Sequence, residues 1–251
     1  MMARHPKASK TKPIRFFVFP AALALICLLA PARPWAGWRG GATPLPTVVL
    51  DPGHGGSDIG ARGPSGLKEK DVALSLARAL SRALAGSCRT VLTRDDDYGL
   101  SAAERTSIAN HRRAALFISL HNGGGFSPAV EGMAVYYCGQ TARETLPEAD
   151  ASADSNLASW DAVYLRHQAA SRRLARLLVD RLEPLANEGE VDSGALPLLV
   201  LKGADMPAVL VETGCLTNPV DEQKLTDPDY IRAVAAAIAV AVRTFFRTAP
   251  P

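Results

Sequence analysis

From Thr47 onward, short apolar runs of strand length alternate with longer segments of helical periodicity, and this alternation limits the chain to very few architectures. TVVLD (47–51), CRTVLT (88–93), ALFISLH (115–121), VEGMAVYYC (130–138), LPLLVL (196–201) and PAVLVE (207–212) have the length and apolar content of strands. Between them, Val72, Leu76, Ala79, Leu80, Ala83 and Leu84 keep one helical face, and Gly86 supplies a C-cap. Ser101-Ala-Ala-Glu104 is a capping box for a helix ending near Arg113. A long helix is expected over 160–182, with Leu165, Leu174, Leu177, Leu178 and Leu182 largely on one side. Arg166, Arg172, Arg173, Arg176 and Arg181 are then a solvated face. Asp227-Pro228 opens an alanine-rich final helix to about Arg247. The pattern predicts an α/β fold: a single domain with a mostly parallel central sheet of about six strands and helices on both faces.

The first 46 residues do not fit this pattern. Arg4, Lys7, Lys10, Lys12 and Arg15 precede an apolar run from Phe16 to Ala30, shorter than the ~20 residues of a membrane span. Small residues follow at Ala30-Pro31-Ala32. Residues 1–32 are therefore read as a signal peptide, the alternative being an uncleaved N-terminal anchor. A Pro/Gly-rich linker (33–46) leads to the domain (47–248). Export is expected, with a periplasmic destination favoured over an extracellular or wall-associated one. Membrane contact is expected only through an uncleaved leader. Charge argues against nucleic acid as a partner: residues 1–32 hold five of the 28 basic residues and none of the 25 acidic ones, so the remainder carries a net −2. Cys88, Cys138 and Cys215 fit either one disulfide plus a thiol or three buried thiols, and none neighbours a histidine as a thiolate nucleophile requires.

In open α/β sheets, ligands gather beyond the carboxyl ends of the strands. Three strand-type runs lead into a titratable residue there: VVLDPGH at His54, FISLH at His121 and AVLVE at Glu212. Glu69 lies at the far end of the glycine-rich loop after His54, in the first turn of a helix. Two imidazoles and two carboxylates can thus meet at one sheet edge. Catalytic zinc takes three N/O ligands and one water, and a further carboxylate held off the metal can accept the water's proton. The glycines of the loop allow the chain to turn around such a centre and return to Glu69. Each residue alone also has a structural reading: a strand-end imidazole, a carboxylate complementing a helix dipole, a buried acid bonded to loop amides. Their coincidence at equivalent strand ends favours a metal site. His111 and His167 lie in helical stretches and are read as structural. GHGGSDIG does not open directly onto a helix as a dinucleotide loop does, and it lacks the Lys-Ser/Thr pair of a phosphate loop.

These residues also carry a family resemblance. Val48-Val-Leu-Asp-Pro-Gly-His-Gly-Gly-Ser-Asp-Ile-Gly-Ala61, Gly66-Leu-Lys-Glu-Lys-Asp71, Ser119-Leu-His121, Pro207-Ala-Val-Leu-Val-Glu-Thr-Gly214 and Leu216-Thr-Asn-Pro219 resemble, in order, the motifs of the zinc-dependent N-acetylmuramoyl-L-alanine amidases of the amidase 3 family. The resemblance implies one Zn²⁺ per chain on His54, Glu69 and His121, with Glu212 as the catalytic carboxylate. It implies peptidoglycan as substrate, cut between the lactyl group of N-acetylmuramic acid and L-alanine, and it leaves room for a protein activator. Two positions depart from the family. Asparagine follows His121 directly as Asn122 rather than one residue later, which bears on the pocket's shape, and Cys215 stands where phenylalanine is usual. Thr141 to Trp160 is an acidic insertion, read as a flexible loop; related amidases carry a zinc-occluding helix there, a role that Glu144 or Glu148 would fill.

Overall fold

The computed structural model describes residues 44–139, 160–186 and 190–248. The strands are β1 (Thr47–Pro52), β2 (Arg89–Leu92), β3 (Leu116–Gly123), β4 (Met133–Cys138), β5 (Val191–Leu196) and β6 (Ala208–Cys215). The α-helices are α1 (Glu69–Ala83), α2 (Ala102–His111), α3 (Gln168–Leu182), α4 (Pro219–Thr226) and α5 (Pro228–Arg247). One sheet has the order β2-β1-β3-β6-β4-β5. Its pairs are parallel except for β4 against β6, so β4 and β5 run opposite to the other four strands. The mostly parallel six-stranded sheet is as expected from the sequence.

Side chains alternate across the sheet with the period of two that a strand imposes. Val48, Leu50, Leu116, Ile118, Val209 and Val211 pack beneath α1, α3 and α5. Val49, Phe117 and Leu210 face the other way, against Ala109 of α2, Tyr164 and the 201–206 segment. With both faces covered, the central strands are continuous apolar runs, which is why they stand out in the sequence. β1, β3 and β6 are the central parallel strands, and their carboxyl ends lie side by side.

Four local expectations are corrected. The strand expected at LPLLVL lies earlier, at Val191–Leu196, and Leu199–Leu201 is a single 3₁₀ turn. β5 is an edge strand in which only Val191 is buried, so it has no apolar signature, whereas Leu198, Val200 and Leu201 are apolar because they cover the second core cluster. The segment 160–182 is not one helix: Trp160–His167 is 3₁₀ and α3 starts at Gln168. The change of winding carries the chain between faces, since Tyr164 belongs to one core cluster and Leu174, Leu178 and Leu182 to the other. Arg173 leaves the arginine row: it donates to the Phe245 carbonyl at the end of α5 and lies over the Phe245 ring at 3.9 Å. Helix α4 was not anticipated, although Asn218 caps it through Val220 and Asp221 amides and Pro219 occupies its first position. Cys88, Cys138 and Cys215 are all buried, and no disulfide joins them among the described residues. Residues 1–43 and 140–159, with the leader and almost all of the insertion, lie outside the described residues.

Candidate metal centre and cleft

His54 follows the end of β1, and the loop after it folds back on itself through isolated bridges Gly55–Asp58 and Arg62–Lys68. The returning chain meets the start of α1, where the Glu69 and Lys70 amides donate to the Ala61 and Ile59 carbonyls. These bonds satisfy first-turn donors that Lys68, the N-cap, leaves uncapped, and they fix Glu69 against the loop. His121 stands at the end of β3. Three segments distant in sequence thereby deliver three side chains to one point.

Glu69 is buried and both its oxygens are engaged. One accepts from His54 Nε2 (3.0 Å) and the Ala61 amide (2.8 Å), the other from His121 Nδ1 (2.9 Å) and the Asn122 amide (3.0 Å). The two imidazoles are edge-on, 5.0 Å between centroids at 77°. Burial works against ionising Glu69, but the hydrogen bonds from His121 and His54 outweigh it and hold the carboxyl well below the ordinary range. His54 is pushed up, chiefly by its bond to Glu69, against the effect of burial.

One potential ligand atom from each of His54, Glu69 and His121 lies within 4.8 Å of the others. Two imidazole nitrogens and one carboxylate oxygen form a donor set that suits zinc in an open catalytic site, so the residues fit a bound cation. Packing fits as well. A Cβ on Gly53 would stand 2.3 Å from the His121 ring, and one on Gly60, which has φ +66°, would stand 2.5 Å from Glu69 Oε2 and 2.6 Å from the His54 ring. Asp58, which sequence reasoning missed, holds His54 Nδ1 at 2.8 Å and so leaves Nε2 facing the centre, a familiar outer-shell arrangement for a metal-binding histidine. Its signal was available as a carboxylate four residues on, within the same loop.

Glu212 on β6 pairs in register with His121 on β3. It is partly buried, and burial pushes its carboxyl above the ordinary value. It lines a cleft of about 260 Å³ with Gly123, Gly124, Ala134, Tyr136 and Asp192. The Tyr136 hydroxyl donates to Asp192 Oδ2 at 2.6 Å, and burial, then that hydrogen bond, then the Asp192 and Glu212 charges raise its pKa. Asp192 was missed because β5 itself was misplaced, and Tyr136, within the strand expected at 130–138, carries no motif that marks it. Asn122 turns into the interior, where Nδ2 donates to Thr213 Oγ1 at 2.9 Å and Oδ1 is buried without a hydrogen-bond partner among the described residues. Glycines 123 and 124 line the cleft in its stead. Cys215 is buried at the same end, its amide held by Asp221. His167 pairs with Asp205 at 2.9 Å, away from the centre, and His111 ends α2.

The residues brought together here belong to a recognised sequence family. The family model for N-acetylmuramoyl-L-alanine amidase matches residues 48–244. The chain is 33% identical over 223 residues to N-acetylmuramoyl-L-alanine amidase AmiC of Neisseria meningitidis, covering 81% of this chain and 53% of that protein, so it spans about half the relative's length. It is 31% identical over 218 residues to AmiA of Escherichia coli, covering 79% and 75%. Among solved structures, AmiC2 of Nostoc punctiforme superposes with a TM-score of 0.66 at 28% identity, covering 82% of this chain and 99% of that one. The matched range contains all six strands but for the first residue of β1, together with every residue of the centre, and the chain belongs to the N-acetylmuramoyl-L-alanine amidase family.

Proposed function

We propose that this chain is a zinc-dependent peptidoglycan amidase that hydrolyses the bond between the lactyl group of N-acetylmuramic acid and L-alanine of the stem peptide. The observation that carries the reading is the convergence of His54, Glu69 and His121 at one point, next to the Glu212 carboxylate on the adjoining strand. A zinc ion on those three side chains supplies Lewis-acid activation of water and of the scissile carbonyl. With zinc bound, an Nδ1–H bond from His54 to Asp58 would leave the Nε2 lone pair for the metal. Glu212, set off the triad and facing the cleft, takes the proton from the attacking water and returns it to the leaving L-alanine nitrogen. Its partial burial raises its basicity for the first of these transfers.

The leader-like composition of residues 1–32 supports export to the periplasm or wall, where this polymer lies, and the domain assignment (47–248) follows the same reading. The test is mass spectrometry of purified peptidoglycan incubated with protein stripped of metal and then reloaded with zinc. Zinc-dependent release of stem peptides beginning at L-alanine is expected. Peptides cut at another bond would refute the selectivity, and a protein that takes up no zinc would refute the metal assignment.

A further inference from the structure

His54 has φ +58°, a left-handed conformation that the Cβ of a non-glycine residue disfavours. Such a residue keeps this conformation only when its surroundings over-determine it. The carbonyls of Pro52, Gly53 and His54 all accept hydrogen bonds from two buried guanidinium groups. Arg94 donates to Pro52 O at 3.0 Å and Gly53 O at 2.7 Å, and Arg105 donates to Pro52 O and His54 O at 2.8 Å each. Arg94 also reaches the Lys70 carbonyl at 2.8 Å, one residue from Glu69. A single rigid side chain thus ties the segment that carries His54 to the helix that carries Glu69.

The charge balance distinguishes this arrangement from ordinary core stabilisation. Asp51, with both side-chain oxygens engaged, bonds Arg105 at 2.8 Å, and Arg94 has no direct carboxylate partner among the described residues. Two guanidinium groups buried with one direct carboxylate contact between them are costly to desolvate. Four of their eight hydrogen bonds go to carbonyls of the ligand-bearing turn, at Pro52, Gly53 and His54, and the others go to the Lys70, Asp96 and Leu100 carbonyls and to Asp51; an apolar core would require none of them.

Building on the metal-centre reading above, we infer that Arg94 and Arg105 are positioning residues that preset the metal site, holding His54 in its left-handed conformation and fixing its separation from Glu69 before any cation arrives. Outer-shell partners of this kind change metal affinity by about 10- to 100-fold when altered.

The test is Arg105→Lys. Lysine keeps the charge beside Asp51 but cannot hold Pro52 O, His54 O and Asp51 together, because it lacks the planar fork. The full chain is titrated with zinc against a chromophoric chelator, at a temperature where circular dichroism and a cooperative melt show the zinc-free variant folded. Zinc affinity weakened about 10- to 100-fold, with an altered absorption spectrum of the cobalt-substituted protein, is expected. Arg173→Lys, which perturbs carbonyl contacts at the far end of α5, is expected to bind zinc as wild type does. Zinc affinity and a cobalt spectrum unchanged in Arg105→Lys would overturn the inference, whereas wild-type protein that binds no zinc would overturn the metal-centre reading instead. Should the variant not fold, the guanidinium protons of Arg94 and Arg105 in wild-type protein decide the matter by NMR. Slow exchange with and without zinc is expected; protection that appears only on adding zinc would overturn the presetting role.

Discussion

His121 and Glu212 occupy paired positions on adjacent parallel strands, β3 and β6. Neighbouring strands are about 4.8 Å apart, so a carboxylate at Glu212 reaches the reaction zone without joining the Glu69 pair of hydrogen bonds. A Cβ at Gly123 would lie 3.1 Å from Glu212 Oε2, which places that oxygen over the glycine floor of the cleft. Glu212→Gln preserves shape and removes the proposed base. Turnover is expected to fall by about 10²- to 10⁴-fold while zinc stoichiometry stays unchanged. Retained turnover would show that the proton goes elsewhere.

The row continues across the sheet: Glu212 pairs with Ala134 on β4, and Ala134 with Asp192 on β5. Burial raises Glu212, and the Asp192 charge adds to the same shift. A general base acts deprotonated, so activity is lost as pH falls through its pKa. Asp192→Asn removes one anion and lowers the Glu212 pKa. The acidic limb of the kcat profile is therefore expected to move to lower pH. A limb that stays in place or moves upward would exclude electrostatic coupling along the row.

How much of this was legible in the sequence depended on burial. The strands covered on both faces, β1, β3 and β6, announce themselves as apolar runs, and each leads to a residue of the site at its carboxyl end: His54, His121 and Glu212. The edge strand β5 has one buried residue and left no pattern, so Asp192 went unseen, and with it the hydrogen bond that gives Tyr136 of β4 its place in the cleft. Helix α4 was hidden for a different reason. Its eight residues are too few for a helical period to show, although Asn218-Pro219 is a sound start signal. The arginines behind His54 carry no periodic signal at all, since what they recognise is main-chain carbonyl oxygen.

Gly60 tests how tightly the loop is fitted to the centre. Its φ of +66° disfavours a side chain, and a Cβ would lie 2.5 Å from Glu69 Oε2 and 2.7 Å from Glu69 Cβ. Gly60→Ala is expected to cost about 1–2 kcal/mol in stability from the backbone alone. Displacement of Glu69 is expected to weaken zinc binding as well. Measuring the melt of the zinc-free variant separately from its zinc affinity distinguishes the two effects. A variant that loses stability but binds zinc normally would show that the loop moves without Glu69.

The opposite shifts of Glu69 and His54 make the pH dependence of stability a test of who occupies the centre. Glu69 is depressed in the folded protein, so its contribution is present above its ordinary value of 4.5 and is lost as pH falls through the folded value. His54 is raised, so its contribution is complete below 6.5 and is lost as pH rises through the folded value. Without metal, these contributions overlap between 4.5 and 6.5, where the zinc-free protein is expected to be most stable with respect to this pair. Zinc needs the same imidazoles unprotonated, so the stabilisation it adds grows as they lose protons. The melting temperature of the zinc-loaded protein minus that of the zinc-free protein should thus widen between about pH 5 and 8. Glu69→Gln should abolish most of that gap and flatten the acidic side of the zinc-free curve. A gap that is constant with pH would mean that protons and metal do not compete for these side chains, and the assignment of the centre would fall with it.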